Sequence, residues 1–175
     1  MKNHQYINSS SGNVEFFTPA PIIEAARLTL GRIDLDPASS VLANEHVGAT
    51  HFFTESDDGL RQCWGSMADP LTVWMNMPFR RKTNAQWINK FISEFECGNV
   101  SSALCITFAS TSEKWFRPLL AHPQAYLSPR TNYLLPDGST MRGVTKGSVV
   151  TLLTDSMKVL ARFRTHFSPL GVVKV

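Results

Sequence analysis

Behind Thr18-Pro19, a helix-start signal, Ile22, Ile23, Ala26 and Leu30 recur at helical spacing and Gly31 follows as a stop, so the first predicted element is a short helix. Ile33-Asp34-Leu35-Asp36 then alternates apolar with acidic residues and breaks at Pro37, which predicts a strand that delivers Asp36 to a sheet edge. Ser39–Gly48 reads as a helix, Ala49–Thr54 holds a second short strand, and Asp57-Asp58-Gly59 is turn chemistry. Leu71–Met75 has the character of a buried strand and ends at Asn76. The clearest helix follows: Thr83 can cap it, Trp87, Ile88, Phe91, Ile92 and Phe95 form one apolar stripe, and Gly98 lies just past its end. Ser102–Phe108, Ala125–Leu127, Ser148–Leu153 and Val172–Val175 are further strands. Helices are predicted over Ser112–Leu120 and around Met157, Leu160, Ala161 and Phe163.

Strands alternating with helices imply an α/β domain built on a largely parallel sheet with helices on both faces, because parallel strands need crossover connections. In such sheets ligands bind beyond the carboxyl ends of the strands. Asp36 and Asn76 both fall there. Ser128–Gly147 is the longest stretch without periodicity, and its Pro, Gly and basic residues suggest a loop or hairpin covering that edge. Met1–Val14 holds little to bury, so a flexible tail over 1–14 and a single domain over 15–175 are expected.

Composition narrows the picture in a few respects. A chain of 175 residues that is 43% apolar can close one core, and a formal charge of +3 is compatible with a polyanionic partner without demanding one. Cys63, Cys97 and Cys105 form no CxxC pair, and His4, His46, His51, His122 and His166 have no ligand-like spacing, so neither a disulfide framework nor a metal site is expected. The first residues lack the apolar run of a signal peptide, and no stretch approaches the ~20 apolar residues of a membrane span. A soluble cytoplasmic protein, off the membrane, is the expectation.

The strongest local signal is Val73-Trp74-Met75-Asn76-Met77-Pro78-Phe79, an apolar strand running straight into Asn-x-Pro-aromatic. Taken alone this is either a turn or a functional loop. Asp36 is likewise either a carboxylate facing a ligand or a cap for the helix that follows. No GxGxxG occurs, so the dinucleotide fingerprint does not apply. Arg80, Arg81 and Lys82 read equally as a solvated loop or as phosphate contacts. Arg130, Arg142 and Lys146, in the aperiodic segment, can add to a basic surface, whereas Lys158, Arg162 and Arg164 read better as a solvated helix face.

Several segments in order carry a resemblance. Glu15-Phe16-Phe17-Thr18-Pro19, Ile33-Asp34-Leu35-Asp36-Pro37-Ala38-Ser39-Ser40, Ala43-Asn44-Glu45, His51-Phe52-Phe53-Thr54, Asp57-Asp58-Gly59-Leu60, Trp64 and Asn76-Met77-Pro78-Phe79 are together similar to the phage-type, Dam-like DNA N6-adenine methyltransferases. The likeness covers most of residues 15 to 120. It implies a three-layer, Rossmann-like α/β fold that uses S-adenosylmethionine, a DNA partner, and a phage- or prophage-encoded protein in the bacterial cytoplasm. Phe17, Thr18 and Pro19 would lie against the methionine part of the cofactor, with Asp36, Pro37, Ala38 and Ser39 in its binding stretch. Asp57 or Asp58 would accept from its adenine amine, and Glu45 either meets the ribose or is solvated helix surface. With DNA as the partner, Arg80, Arg81, Lys82 and Arg130, singled out above from the residues alone and not carried over from the family, are the candidates to meet it.

The chemistry agrees with the catalytic loop so implied. An adenine amino group is a poor nucleophile because its lone pair is delocalised, and acceptors holding both N–H groups favour pyramidal nitrogen. Asn76 Oδ1 and the Met77 carbonyl are the candidate acceptors, and Phe79 would stack on a base rotated out of the duplex. Met77 departs from the family pattern, which has proline there. The carbonyl is kept and Pro78 still biases Met77 toward extended angles, while the fixed φ is lost and an added N–H needs a partner. The alternatives are transfer to another NH₂-bearing acceptor, in RNA or a protein glutamine, and a catalytically inactive DNA- or cofactor-binding relic. Oligomeric state is left open.

Overall fold

A computed structural model describes residues 16–135, 137–141 and 144–175. The expected tail over 1–14, together with Glu15 and Arg142, lies outside the described residues. Helix α1 spans Ala20–Leu30, with Pro19 at its N-cap and Gly31 closing it at φ 90°. Strand β1 is Leu35–Asp36, α2 is Val41–Val47 and β2 is His51–Phe52. Strand β3 is Leu71–Met75, α3 is Asn84–Glu96 and β4 is Val100–Phe108. After β5 (Gln124–Leu127) and β6 (Ser148–Thr154) come α4 (Met157–Phe167) and β7 (Gly171–Lys174).

The seven strands form one sheet in the order β2-β1-β3-β4-β6-β5-β7. The pairs β2-β1, β1-β3 and β3-β4 are parallel, and β4-β6, β6-β5 and β5-β7 are antiparallel. The sheet is therefore mixed rather than largely parallel. Its antiparallel half is built by β6, which returns beside β4 with Phe108 opposite Ser148, and by the short β5 and β7.

Strand side chains alternate between the faces, so each strand feeds two cores. Trp74, Leu104, Ile106, Val150 and Leu152 pack with Ile22, Ile23 and Ala26 of α1 and Phe163 and Phe167 of α4. Their neighbours Val73, Met75, Ala103, Cys105, Val149 and Leu153 pack with Trp87, Ile88 and Phe91 of α3 and with Trp64. The predicted stripe of α3 is thus a core face.

One predicted helix is absent. Residues 111–116 form turns, and only Arg117–Ala121 coils, as a 3-10 helix with proline in its first turn. Pro118 has no N–H to give and excludes the preceding turn from α geometry, so the apolar spacing of Phe116 and Leu119 is met by separate turns that still bury both.

Strand order reverses at β1: β2 lies on one side and β3 on the other. The crevice at such a switch point opens at the carboxyl ends of the strands. Here those ends lead into Pro37 from β1 and into Asn76 from β3, so two distant stretches of chain enter the same edge.

Candidate active site

Asn76 follows the last residue of β3 and is half-buried. Its Nδ2 donates to the Phe16 carbonyl at 2.8 Å and to Thr18 Oγ1 at 3.2 Å. Oδ1 is buried and has no hydrogen-bond partner among the described residues. Burying an amide oxygen without a donor costs about 1–3 kcal/mol, so an orphan at a strand end asks for a ligand N–H or a water.

The rest of the loop divides by exposure. Met77 is 1% exposed and packs into the α3-side core, Pro78 is exposed, and the Arg80 N–H closes a turn on the Pro78 carbonyl at 2.8 Å. That turn leaves the Met77 carbonyl outside it. Phe79 is half-buried, its ring tilted 31° against Phe108 with centroids 4.4 Å apart and edge-on to Tyr133 at 6.0 Å. Phe16 meets the same Tyr133 at 6.2 Å. Tyr133 is buried, and its hydroxyl and that of Ser148 share a 3.0 Å hydrogen bond. Part of the aperiodic segment thus covers the edge, as expected, and does so with an aromatic ring that no periodicity marked. Phe108, read only as a strand end, backs Phe79.

Asp36 is 2% exposed, and burial pushes its carboxyl up to about 7 against the pull of the Ala38 N–H and the Ser39 hydroxyl. The Ala38 N–H donates to its Oδ1 at 3.2 Å. The cap of α2 is Ser40, whose Oγ accepts from the Ala43 N–H, so Asp36 is not the helix cap. A buried carboxylate with no cation beside it among the described residues fits a site for a cationic ligand group.

The turn at Asp57-Asp58-Gly59 is packed against this loop. A Cβ on Gly59 would stand 2.0 Å from the Pro37 carbonyl oxygen, so only glycine permits the approach. The Trp64 indole N–H fixes the turn by donating to the Gly59 carbonyl at 2.8 Å. Asp57 is exposed and accepts from the Thr54 hydroxyl and N–H, which lower its pKa; Asp58 sits at φ 53° and pairs with Arg61 at 3.1 Å. Glu45 lines a cleft of about 230 Å³ with Phe17, His46 and Leu134. Arg80 pairs with Glu55 at 3.1 Å, Arg81, Lys82 and Arg130 are exposed, and Lys146 lies 5.6 Å from the Phe108 ring.

With this geometry in view, a family model described as DNA N-6-adenine-methyltransferase (Dam) matches residues 10–153. The chain belongs to the Dam family. It is a DNA adenine-N6 methyltransferase, and its methyl donor is S-adenosylmethionine. None of the curated proteins matches it. No group of three or more His, Cys, Asp or Glu residues able to hold a metal ion occurs among the described residues, and none of their helices is long and apolar enough to cross a membrane.

Proposed function

We propose that Asn76 Oδ1 accepts one N6–H of a flipped adenine, that the Met77 carbonyl accepts the other, and that Phe79 stacks on the base. The observation that carries this reading is the Asn76 amide: its donor end is satisfied and its acceptor end is buried and unpaired. Holding both N–H groups in the base's approach pose draws the nitrogen lone pair out of conjugation. Pro78 biases Met77 toward extended backbone, and Phe108 and Tyr133 back Phe79 so that the stacking ring is preset. Bound S-adenosylmethionine supplies a methyl group on a sulfonium, a leaving group good enough that positioning does most of the work. The N6 nitrogen forms the new bond to the methyl carbon as the carbon–sulfur bond breaks, and one N6 proton passes to water.

Asp36 would face the cofactor's ammonium in its ionised form, with Pro37, Ala38 and Ser39 lining the methionine end and the backbone of Phe17, Thr18 and Pro19 closing it. Asp57 and Asp58 would border the adenine end; the packing of Gly59 on Pro37 supports that neighbourhood. Arg81, Lys82 and Arg130, exposed, and Arg80, held by Glu55, would meet DNA phosphates. Two cores on the two faces of one sheet support a three-layer, Rossmann-like domain over 15–175. The protein would act in the bacterial cytoplasm, phage- or prophage-encoded.

Asn76→Ala is the test. Nucleoside mass spectrometry should find N6-methyladenine falling at least a hundredfold while calorimetric affinity for the cofactor stays within about twofold. Turnover equal to wild type would remove Asn76 from the chemistry.

A further inference from the structure

A primary amide has two ends of nearly equal size and only one of them accepts, so the chemistry at Asn76 depends on which end faces outward. What the inward end meets decides it. Nδ2 meets the Phe16 carbonyl and Thr18 Oγ1. Both belong to a held segment: Thr18 is 4% exposed and precedes Pro19, which biases it to extended backbone, and Pro19 opens α1 by accepting the Ile22 N–H at 3.0 Å. Phe17, between them, exchanges two hydrogen bonds with Leu134, at 2.8 and 2.9 Å. With the amide turned over, Oδ1 would face a carbonyl oxygen that cannot become a donor. A hydroxyl can rotate to donate; a carbonyl cannot.

From this juxtaposition we infer that Phe16–Thr18 is an orienting clamp for the Asn76 amide, with Thr18 a positioning residue, and that it makes position 76 selective for a side chain that donates inward while accepting outward. The inference rests on Asn76 as acceptor of the N6 amine. An ionised aspartate at position 76 has acceptors only and repels the Phe16 carbonyl. A protonated one has both functions, with its O–H on the carbonyl and its second oxygen toward the base. The Asn76→Asp enzyme therefore works in its protonated form alone.

Two measurements test the clamp. The first is the ratio of Asn76→Asp to wild-type turnover on the same adenine-containing duplex DNA between pH 5.5 and 9. Other ionisable and charged groups around this edge, among them Asp36, Tyr133, Lys146, the Arg80–Glu55 pair and the Glu45 and His46 that face Phe17, are present in both proteins, so the ratio cancels them. It should fall about tenfold per pH unit once the introduced carboxyl ionises. A ratio that stays flat with pH, near unity or near zero, overturns the clamp. The second is Thr18→Val against Thr18→Ser: loss of the hydroxyl should lower kcat about three- to tenfold with cofactor affinity by calorimetry little changed, and serine should restore it. Valine and serine variants with the same kcat would overturn Thr18's part, and thermal melts of both confirm that folded enzymes are compared. Failure of the underlying reading would look different: Asn76→Ala would itself turn over.

Discussion

Asp36 shows how a single residue can set a pH dependence for both folding and binding. Its carboxyl titrates near 7 in the fold against an ordinary value of 3.8. Between those values the folded chain holds a proton that the unfolded chain releases. The stability it confers is therefore complete below about pH 4, is lost as pH rises through 7, and stays lost above. The loss reaches on the order of 4 kcal/mol at about 1.4 kcal/mol per pH unit. Urea titrations should show wild type weakening from pH 5 to 8 and Asp36→Asn keeping its stability. Cofactor affinity should move the opposite way, rising through pH 7 in wild type because the ammonium needs the ionised carboxylate, and staying low in the variant. Parallel pH profiles for the two proteins would exclude Asp36 from the site. Met77 is a second case. The residue that departs from the family's proline is 1% exposed and packs with the α3-side core. Met77→Ala should cost about 2–5 kcal/mol by denaturant unfolding. A loss under about 1 kcal/mol would mean that the thioether is not what holds the loop down.

At the scale of elements, the proposed cofactor end rests on a turn laid across a strand-end loop. Gly59 touches Pro37 where no Cβ fits, and the Trp64 indole N–H holds the turn by its Gly59 carbonyl. Gly59→Ala must move the turn or the loop, so cofactor affinity should fall about tenfold or more by calorimetry. Unchanged affinity would separate the turn from the site. The turn itself was legible, since Asp-Asp-Gly admits little else; its destination was not, because the contact with Pro37 is a property of packing. The missed element teaches the same in reverse. Phe116 and Leu119 are buried as an amphipathic helix would bury them, yet Pro118 denies the helix its backbone bonds. Helix α3 is the converse, where spacing and a closing glycine agree with the core that receives it.

In the whole molecule the described residues of the candidate site gather at one edge of the sheet. The switch between β2 and β3 around β1 brings Asp36 and Asn76 to it, and the segment before α1 and the stretch around Tyr133 close over it. Near that edge Arg81 and Lys82 stand exposed without an ion-pair partner among the described residues. If each meets a phosphate, the Arg81→Ala, Lys82→Ala double variant should raise KM for DNA and flatten the slope of log affinity against log salt by about two, with cofactor affinity untouched. An unaltered slope would move the DNA path elsewhere.

The strands and helices bounded by prolines, glycines and apolar periods, the delivery of Asp36 and Asn76 to strand ends, and the family were in the sequence, because each is written in neighbouring residues; the Thr83 hydroxyl, by contrast, makes no cap bond to α3. Tertiary structure alone decided the antiparallel half of the sheet, the burial of Met77, the aromatic backing of Phe79 and the direction in which Asn76 points. Partners in these arrangements lie far apart in the chain, with Phe16 and Asn76 separated by 60 residues. An amide has no outward end until something meets its inward one, and no local pattern records that meeting.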